Sequence, residues 1–276
     1  MNIRSFLYIV LILVLAGCTS SNYEVATIRI KGSDTMLQLT EKLATQYMKG
    51  NPSVSIYVDG GGTASGVNSL IKNEVDIATA SRSLKAEEAK LLAEYYGSLG
   101  MYYLIAKDAL SIYINQNNPV KEFTLSELKK IFLCEINNWK ELGGEDKMIQ
   151  TVIRTPNSGT HLYFLEHVLE GSEYCNNSVV LPTTESVIDF IDENENAIGY
   201  GGIGYKENMT HAAINGIESS EANARNDRYP ITRYLHFFTS KTPTGAIKNF
   251  IDWVLSPAGQ KVVKDSGFIP LWEISY

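Results

Sequence analysis

The feature that most restricts this chain is a repeated local order: a β-rich run, then a polar turn, then an apolar helical repeat. Thr27–Lys31 is β-rich and empties into Gly32-Ser33-Asp34-Thr35, after which Met36, Leu39, Leu43 and Tyr47 recur at helical spacing until Gly50-Asn51-Pro52. Val54–Val58 predicts a second strand, ended by Gly60-Gly61-Gly62, and Val67, Leu70 and Ile71 mark a short helix. A third strand is expected at Val75–Thr79, a helix at Ala86–Tyr96, and two strands at Met101–Ala106 and Leu110–Ile114. Strands that alternate with helices can bury both faces of a parallel sheet, so the fold class is α/β.

Beyond Asn115-Gln116-Asn117-Asn118-Pro119 the pattern becomes more varied. Helices are expected at Ser126–Leu133, from Gly159 onward and over Thr184–Glu193, with strands at Ile149–Arg154 and Tyr234–Thr239. The last helices carry Ile247, Phe250, Ile251 and Val254 and, past Ser256-Pro257, Val262 and Val263. Neither an internal repeat nor a nucleotide motif interrupts this order. The glycine loop lacks the Gly-Lys-Ser/Thr of a P-loop, and its third glycine is misplaced for dinucleotide binding.

At 276 residues, with 44% apolar and 20% charged side chains, the chain has ample core and length for one to two domains. Its net charge of −7 supplies no overall attraction for nucleic acid or an anionic membrane. An anionic partner has to be held by local geometry.

The first residues read as a leader. Arg4 precedes an apolar run from Phe6 to Ala16, too short to span a hydrocarbon core of about 30 Å at about 1.5 Å per residue. It suits the apolar region of a secretory signal. The run closes in Leu15-Ala16-Gly17-Cys18, which resembles a bacterial lipobox and implies cleavage after residue 17 and lipidation of Cys18. Residues 18–26 read as a polar tether. Loss of Arg4 makes the mature chain one unit more acidic.

Cys134 and Cys175 remain. In an exported chain they can form a disulfide or stay as two separate buried thiols. No Cys-x-x-Cys occurs, and His161, His167, His211 and His236 lack ligand spacing, so neither a metal nor another cofactor is expected.

Three polar loops that open helices carry the chemistry: Gly32–Thr35, Gly60–Gly66 and Arg154–Thr160, joined by Ser81-Arg82 after the third strand. A helix start leaves up to four N–H groups unpaired and carries about half a positive charge, so it suits an anion. Hydroxyls add donors without charge, and an Arg fork can hold two oxygens of a tetrahedral anion. Each loop alone is an ordinary cap or turn. Four of them at strand-to-helix junctions point to one oxyanion site. Gly62-Thr63-Ala64-Ser65-Gly66 places its serine one position off a nucleophile elbow, which argues against a hydrolase.

Taken together, GSDTM (32–36), GGGTASG (60–66), ASR (80–82) and RTPNSGTH (154–161) resemble the periplasmic or lipid-anchored phosphate-binding proteins of ABC phosphate importers. The similarity extends to IGYGGIGY (198–205) and LSPAGQKVVKDSGFIPL (255–271). It implies a two-lobed fold of the periplasmic-binding-protein type with the ligand in the cleft. Lobe I would be discontinuous, 27–108 plus 230–276, and lobe II would span 109–229.

By the same resemblance, ligand contacts fall on Thr35, Thr63, Ser81, Arg154, Ser158, Gly159 and Thr160, with Met36 using its backbone N–H. Ser33, Asp34, Ser65 and Arg82 are further candidates. The chain departs from members that place an Asp at the position of Ser81 and an acidic residue where Pro156 stands. An acceptor for the proton of phosphate then has to come from elsewhere, Asp34 or a serine lone pair.

The expected function is capture of inorganic phosphate outside the cytoplasm and its delivery, by hinge closure, to an ABC permease. The protein is read as a lipid-anchored monomer, not an enzyme, and as without nucleic-acid partners. The alternatives are another oxyanion such as sulfate or molybdate, and an exported hydrolase.

Overall fold

The apolar runs and polar turns of this chain organise two α/β layers that share their central strands. The computed structural model describes residues 25–273; the leader and Cys18 lie outside the described residues. In the first half, β1 (Ala26–Gly32), β2 (Val54–Asp59) and β3 (Ile77–Ala80) are parallel, in the order β2-β1-β3. Helix α1 (Leu37–Gly50) packs Leu39 and Leu43 on one face of this sheet against Ile28 and Ile30. Helices α2 (Thr63–Ile71) and α3 (Ala86–Tyr96) cover the other face through Val67, Leu70 and Leu92.

Strand β4 is a single run from Met101 to Ile114, where two strands were expected. Lys107 and Asp108 read as a polar break, yet both are buried, and each is ion-paired, to Asp227 and Arg233 respectively. With their charges matched internally, the ladder continues through them.

Residues 101–109 of β4 pair antiparallel with β10 (Thr232–Thr239), which also pairs with β3. Residues 110–114 pair antiparallel with β8 (Ala197–Gly202), and residues 112–114 also pair with β9 (Thr210–Ile214). One strand therefore belongs to both lobes. The second lobe continues through β6 (Gln150–Arg154), parallel to β8, and β7 (Val179–Leu181), parallel to β6. The two-residue strand β5 (Glu122–Phe123) pairs with β9.

Helices α4 (Leu125–Phe132) and α5 (Gly159–His167) bury Leu128, Ile131, Phe132 and Phe164 on one face of this lobe. Helix α6 (Thr184–Glu193) brings Val187, Ile188 and Ile191 to the other. A one-turn α7 (Glu221–Arg225) precedes β10, and α8 (Gly245–Val254) and α9 (Pro257–Asp265) return to the first lobe beside α1. Cys134 and Cys175 are joined by a disulfide, which ties the end of α4 to the segment before β7.

Candidate functional site

Each polar loop singled out in the sequence sits at the C-terminal end of a strand, and the fold turns them toward one another. The β1 loop enters a 3₁₀ turn (Asp34–Met36) ahead of α1; the β2 loop enters α2; Ser81 ends β3; and β6 delivers Arg154 to the loop before α5. The first three belong to one lobe and the last to the other.

The loops meet at hydrogen-bond distance. Thr35 Oγ1 lies 2.8 Å from Thr160 Oγ1. Asn157 Nδ2 donates to the Gly61 carbonyl at 2.8 Å, and the Ala64 N–H donates to the Asn157 carbonyl at 3.1 Å. A Cβ on Gly159 would stand 2.4 Å from Thr63 Oγ1 and 2.6 Å from Ser81 Oγ, so only glycine lets the lobes approach this closely here. Gly62, at φ +88° with Asn157 against it, has the same requirement.

Arg154 is the buried cation of the crevice. Its Nη1 donates to Thr184 Oγ1 at 3.0 Å, and its Nη2 to the Pro182 carbonyl at 2.6 Å and to Asp34 Oδ2 at 2.8 Å. Asp34 Oδ1 accepts the Gly61 N–H at 2.8 Å. Burial pushes His161, in the next turn, below the ordinary histidine range, and the field of Arg154 adds to this. The positive charge here therefore rests on the guanidinium.

Among the described residues, four buried polar atoms in and beside these loops lack a hydrogen-bond partner: Ser81 Oγ, Arg154 Nε, Arg82 Nε and His161 Nδ1. Leaving a buried donor unpaired costs about 1–3 kcal/mol, so donors left idle in the protein mark a place where something else is bound. Thr63 Oγ1 accepts the Ser81 N–H at 3.2 Å and keeps its own proton to donate. Thr35, Thr63, Ser81, Arg154, Ser158 and Thr160 are all nearly fully buried.

The other candidates are placed differently. Ser158 Oγ caps α5, accepting the N–H groups of Thr160 and His161 at 3.2 and 3.4 Å, so those donors serve the helix and the hydroxyl proton remains. The Met36 N–H, assigned to the ligand by resemblance, donates to the Ser33 carbonyl at 3.0 Å. The Ser33 N–H holds the Thr79 carbonyl. Both terminal nitrogens of Arg82 are taken by Glu88 at 2.8 and 2.7 Å, leaving Nε. Ser65 is half-buried in the first turn of α2.

Asn157, Thr184 and Tyr205, which donates to the Asp34 carbonyl at 3.2 Å, were not among the sequence candidates. Asn157 lies inside the RTPNSGTH stretch and could have been taken from it. Tyr205 ends the IGYGGIGY stretch, whereas Thr184 carries no local signal, because its partner is distant in the chain.

Fold and site together define a two-lobed substrate-binding protein, and residues 19–258 match the profile of the PBP superfamily domain. The chain is 32% identical over 263 residues to the phosphate-binding protein PstS of Pseudomonas aeruginosa, covering 87% of this chain and 81% of that one. To PstS of Bacillus subtilis it is 31% identical over 254 residues, with coverage of 90% and 82%. Among solved structures, a substrate-binding protein of Clostridium perfringens assigned to a phosphate ABC transporter, solved with bound phosphate, superposes with a TM-score of 0.83. It shares 31% identity, and the match covers 89% of this chain and all of that one. An ABC-type phosphate transport receptor of Vibrio cholerae gives a TM-score of 0.72 at 26% identity, with 88% and 99% covered. The chain belongs to the PstS family of phosphate-binding proteins.

Proposed function

We propose that this protein captures inorganic phosphate between its lobes, outside the cytoplasmic membrane, and delivers it to the permease of an ABC importer. One observation carries the reading: Thr35, Thr63 and Ser81 from one side and Arg154, Gly159 and Thr160 from the other converge at a buried crevice, and Ser81 Oγ and Arg154 Nε have donors unused there. The names of the relatives, phosphate-binding and phosphate-transport proteins, agree with it.

Lobe I comprises 27–108 plus 230–276 and lobe II 109–229, with β4 and the segment leading into β10 crossing between them. A ligand that bonds to both lobes favours the closed arrangement by its differential affinity, which is how binding drives closure. Lipid on Cys18 tethers a monomer to the membrane.

Binding without turnover follows from the hydroxyls. Ser158 Oγ is engaged as a helix cap, and Ser81 Oγ has no base at hydrogen-bond distance, so neither is an activated nucleophile. Phosphate is favoured over sulfate because Asp34 brings an acceptor to the Arg154 fork. At neutral pH phosphate carries a proton to donate and sulfate does not. A site built around such an acceptor rejects an isostere lacking the proton by about 10⁴–10⁵.

Calorimetric titration with phosphate, repeated in competing sulfate and molybdate, tests the reading. The expected result is tight one-to-one phosphate binding that neither competitor displaces. Arg154→Ala removes at least two charge-assisted bonds, about 3 kcal/mol or more, and is expected to weaken binding at least about 100-fold. Unchanged affinity in that variant takes Arg154 out of the site, and tighter binding of sulfate reassigns the ligand.

A further inference from the structure

Where β4 passes from one lobe to the other, Asp108 is fully buried and holds three elements at once. Its Oδ2 accepts Arg233 Nε at 2.9 Å, and Arg233 Nη2 lies 2.9 Å from the carboxylate as an ion pair. Its Oδ1 accepts the Ile203 N–H, just past the end of β8, at 3.0 Å. Asp108 and Arg233 face each other one position before the end of the β4–β10 ladder, whose last pair is Ala109 with Thr232.

Both ends of this ion pair lead to ligand-facing residues. A Cβ on Gly202 would lie 3.0 Å from Asp108 Oδ1 and 3.0 Å from Thr35 Cγ2, so a single glycine backbone separates Asp108 from Thr35. On the other side the Arg233 guanidinium stands 5.7 Å over the ring of Tyr163. Tyr163 is one turn along α5 from Gly159 and Thr160, and its hydroxyl donates to the Thr232 carbonyl at 2.6 Å.

The pair is an expensive way to fill a core. Arg233 Nη1 is buried without a hydrogen bond, and well-packed apolar residues of similar volume serve a static interior equally well or better. What an apolar pair lacks is direction. The carboxylate fixes Arg233 by Nε and the end of β8 by Ile203 N–H, and so sets where α5 and the Thr35 loop stand relative to one another.

We infer that Asp108 and Arg233 are positioning residues for ligand capture, holding Thr35 and the Ser158–Thr160 turn at the separation from which both lobes donate to one anion. Neither touches the ligand. The inference rests on the phosphate-binding reading above. Hydrogen bonds weaken steeply with distance and angle, so a small displacement of α5 against the Thr35 loop costs several of them together.

The test uses Asp108→Asn, Arg233→Met and Arg233→Lys in the mature chain, with three readouts: phosphate affinity by calorimetry, Tm without phosphate, and the change in radius of gyration on adding phosphate. Asp108→Asn and Arg233→Met are expected to weaken phosphate binding at least tenfold and to reduce ligand-induced compaction, with Arg233→Lys between them and the parent. Tyr163→Leu, which removes the ring but leaves the ion pair, covers the case in which the charge variants fail to fold, and is expected to lose at least fivefold. Affinities within threefold of the parent, whatever happens to Tm, overturn the inference and leave the pair a purely structural one. If the parent itself binds no phosphate, the underlying reading falls and this one falls with it; a binding parent with unaffected variants removes this inference alone.

Discussion

Arg154 and Asp34 meet at 2.8 Å across the boundary between the lobes, both almost completely buried. The acid that orients the crevice cation therefore comes from the opposite lobe rather than from the loop that carries the arginine. Pro156, two residues beyond Arg154, offers no acid in that loop. The other partners of Arg154, Thr184 Oγ1 and the Pro182 carbonyl, come from the arginine's own side of that boundary.

Replacing Asp34 by Asn keeps the shape and deletes the charge. The variant is expected to lose at least about 100-fold of its preference for phosphate over sulfate, read by competition calorimetry. It also leaves Arg154 buried without its counter-charge, a loss of about 3–5 kcal/mol, part of which added phosphate restores. Unaltered selectivity would take Asp34 out of the discrimination.

Gly159→Ala tests the close approach directly. The methyl group would sit 2.4 Å from Thr63 Oγ1 and 2.6 Å from Ser81 Oγ, both on the other lobe, so separating the lobes relieves the clash. Stability without phosphate is expected to stay within about 1 kcal/mol of the parent, with phosphate affinity down more than about 100-fold, a cost of about 2.7 kcal/mol. Thermal unfolding with and without phosphate distinguishes this from general damage.

The disulfide spans 41 residues of sequence between Cys134 and Cys175. Loop-closure entropy for that span is worth about 4 kcal/mol in the chain-entropy description. The double Cys→Ser variant is expected to unfold at lower denaturant by about 2–4 kcal/mol, with phosphate affinity of the folded protein unchanged. A drop in affinity would mean that the bridge shapes the crevice as well as the lobe.

Burial holds His236 down to about 4, with a backbone hydrogen bond to Ala80 opposing the shift and Arg233 adding to it. The unfolded chain takes up this proton from about pH 6.5 downward while the folded protein does not. Stability is therefore full above that pH and falls by about 3 kcal/mol as pH drops from 6.5 to 4. His236→Phe, which keeps the stacking on Phe238, is expected to flatten this part of the stability–pH curve. Denaturant titrations at pH 7, 5.5 and 4.5 read the difference.

Several elements were legible because their signals are local. The helices at Ala86–Tyr96 and Thr184–Glu193 have the limits their apolar spacing predicts. The α/β alternation followed from strand runs ending in turns that begin helices. The break expected at Lys107-Asp108 was misleading for one reason: a charged side chain looks exposed until its partner is known, and Arg233 lies 125 residues away. Arg82 resembled Arg154 in the sequence, yet Glu88 occupies its fork. Thr184 and Tyr205 join the crevice through contacts with Arg154 and Asp34 that no spacing along the chain encodes.

By itself the sequence determined which residues could bind an anion and the order of elements that would present them, because capping, turn chemistry and hydrophobic period are properties of neighbours in the chain. The tertiary structure decided which donors are spent within the protein and which are left over, and that Asp34 answers Arg154. Those outcomes depend on how two lobes pack across β4 and the segment leading into β10, and hydrogen-bond satisfaction is settled only when every buried group has found, or failed to find, a partner in space.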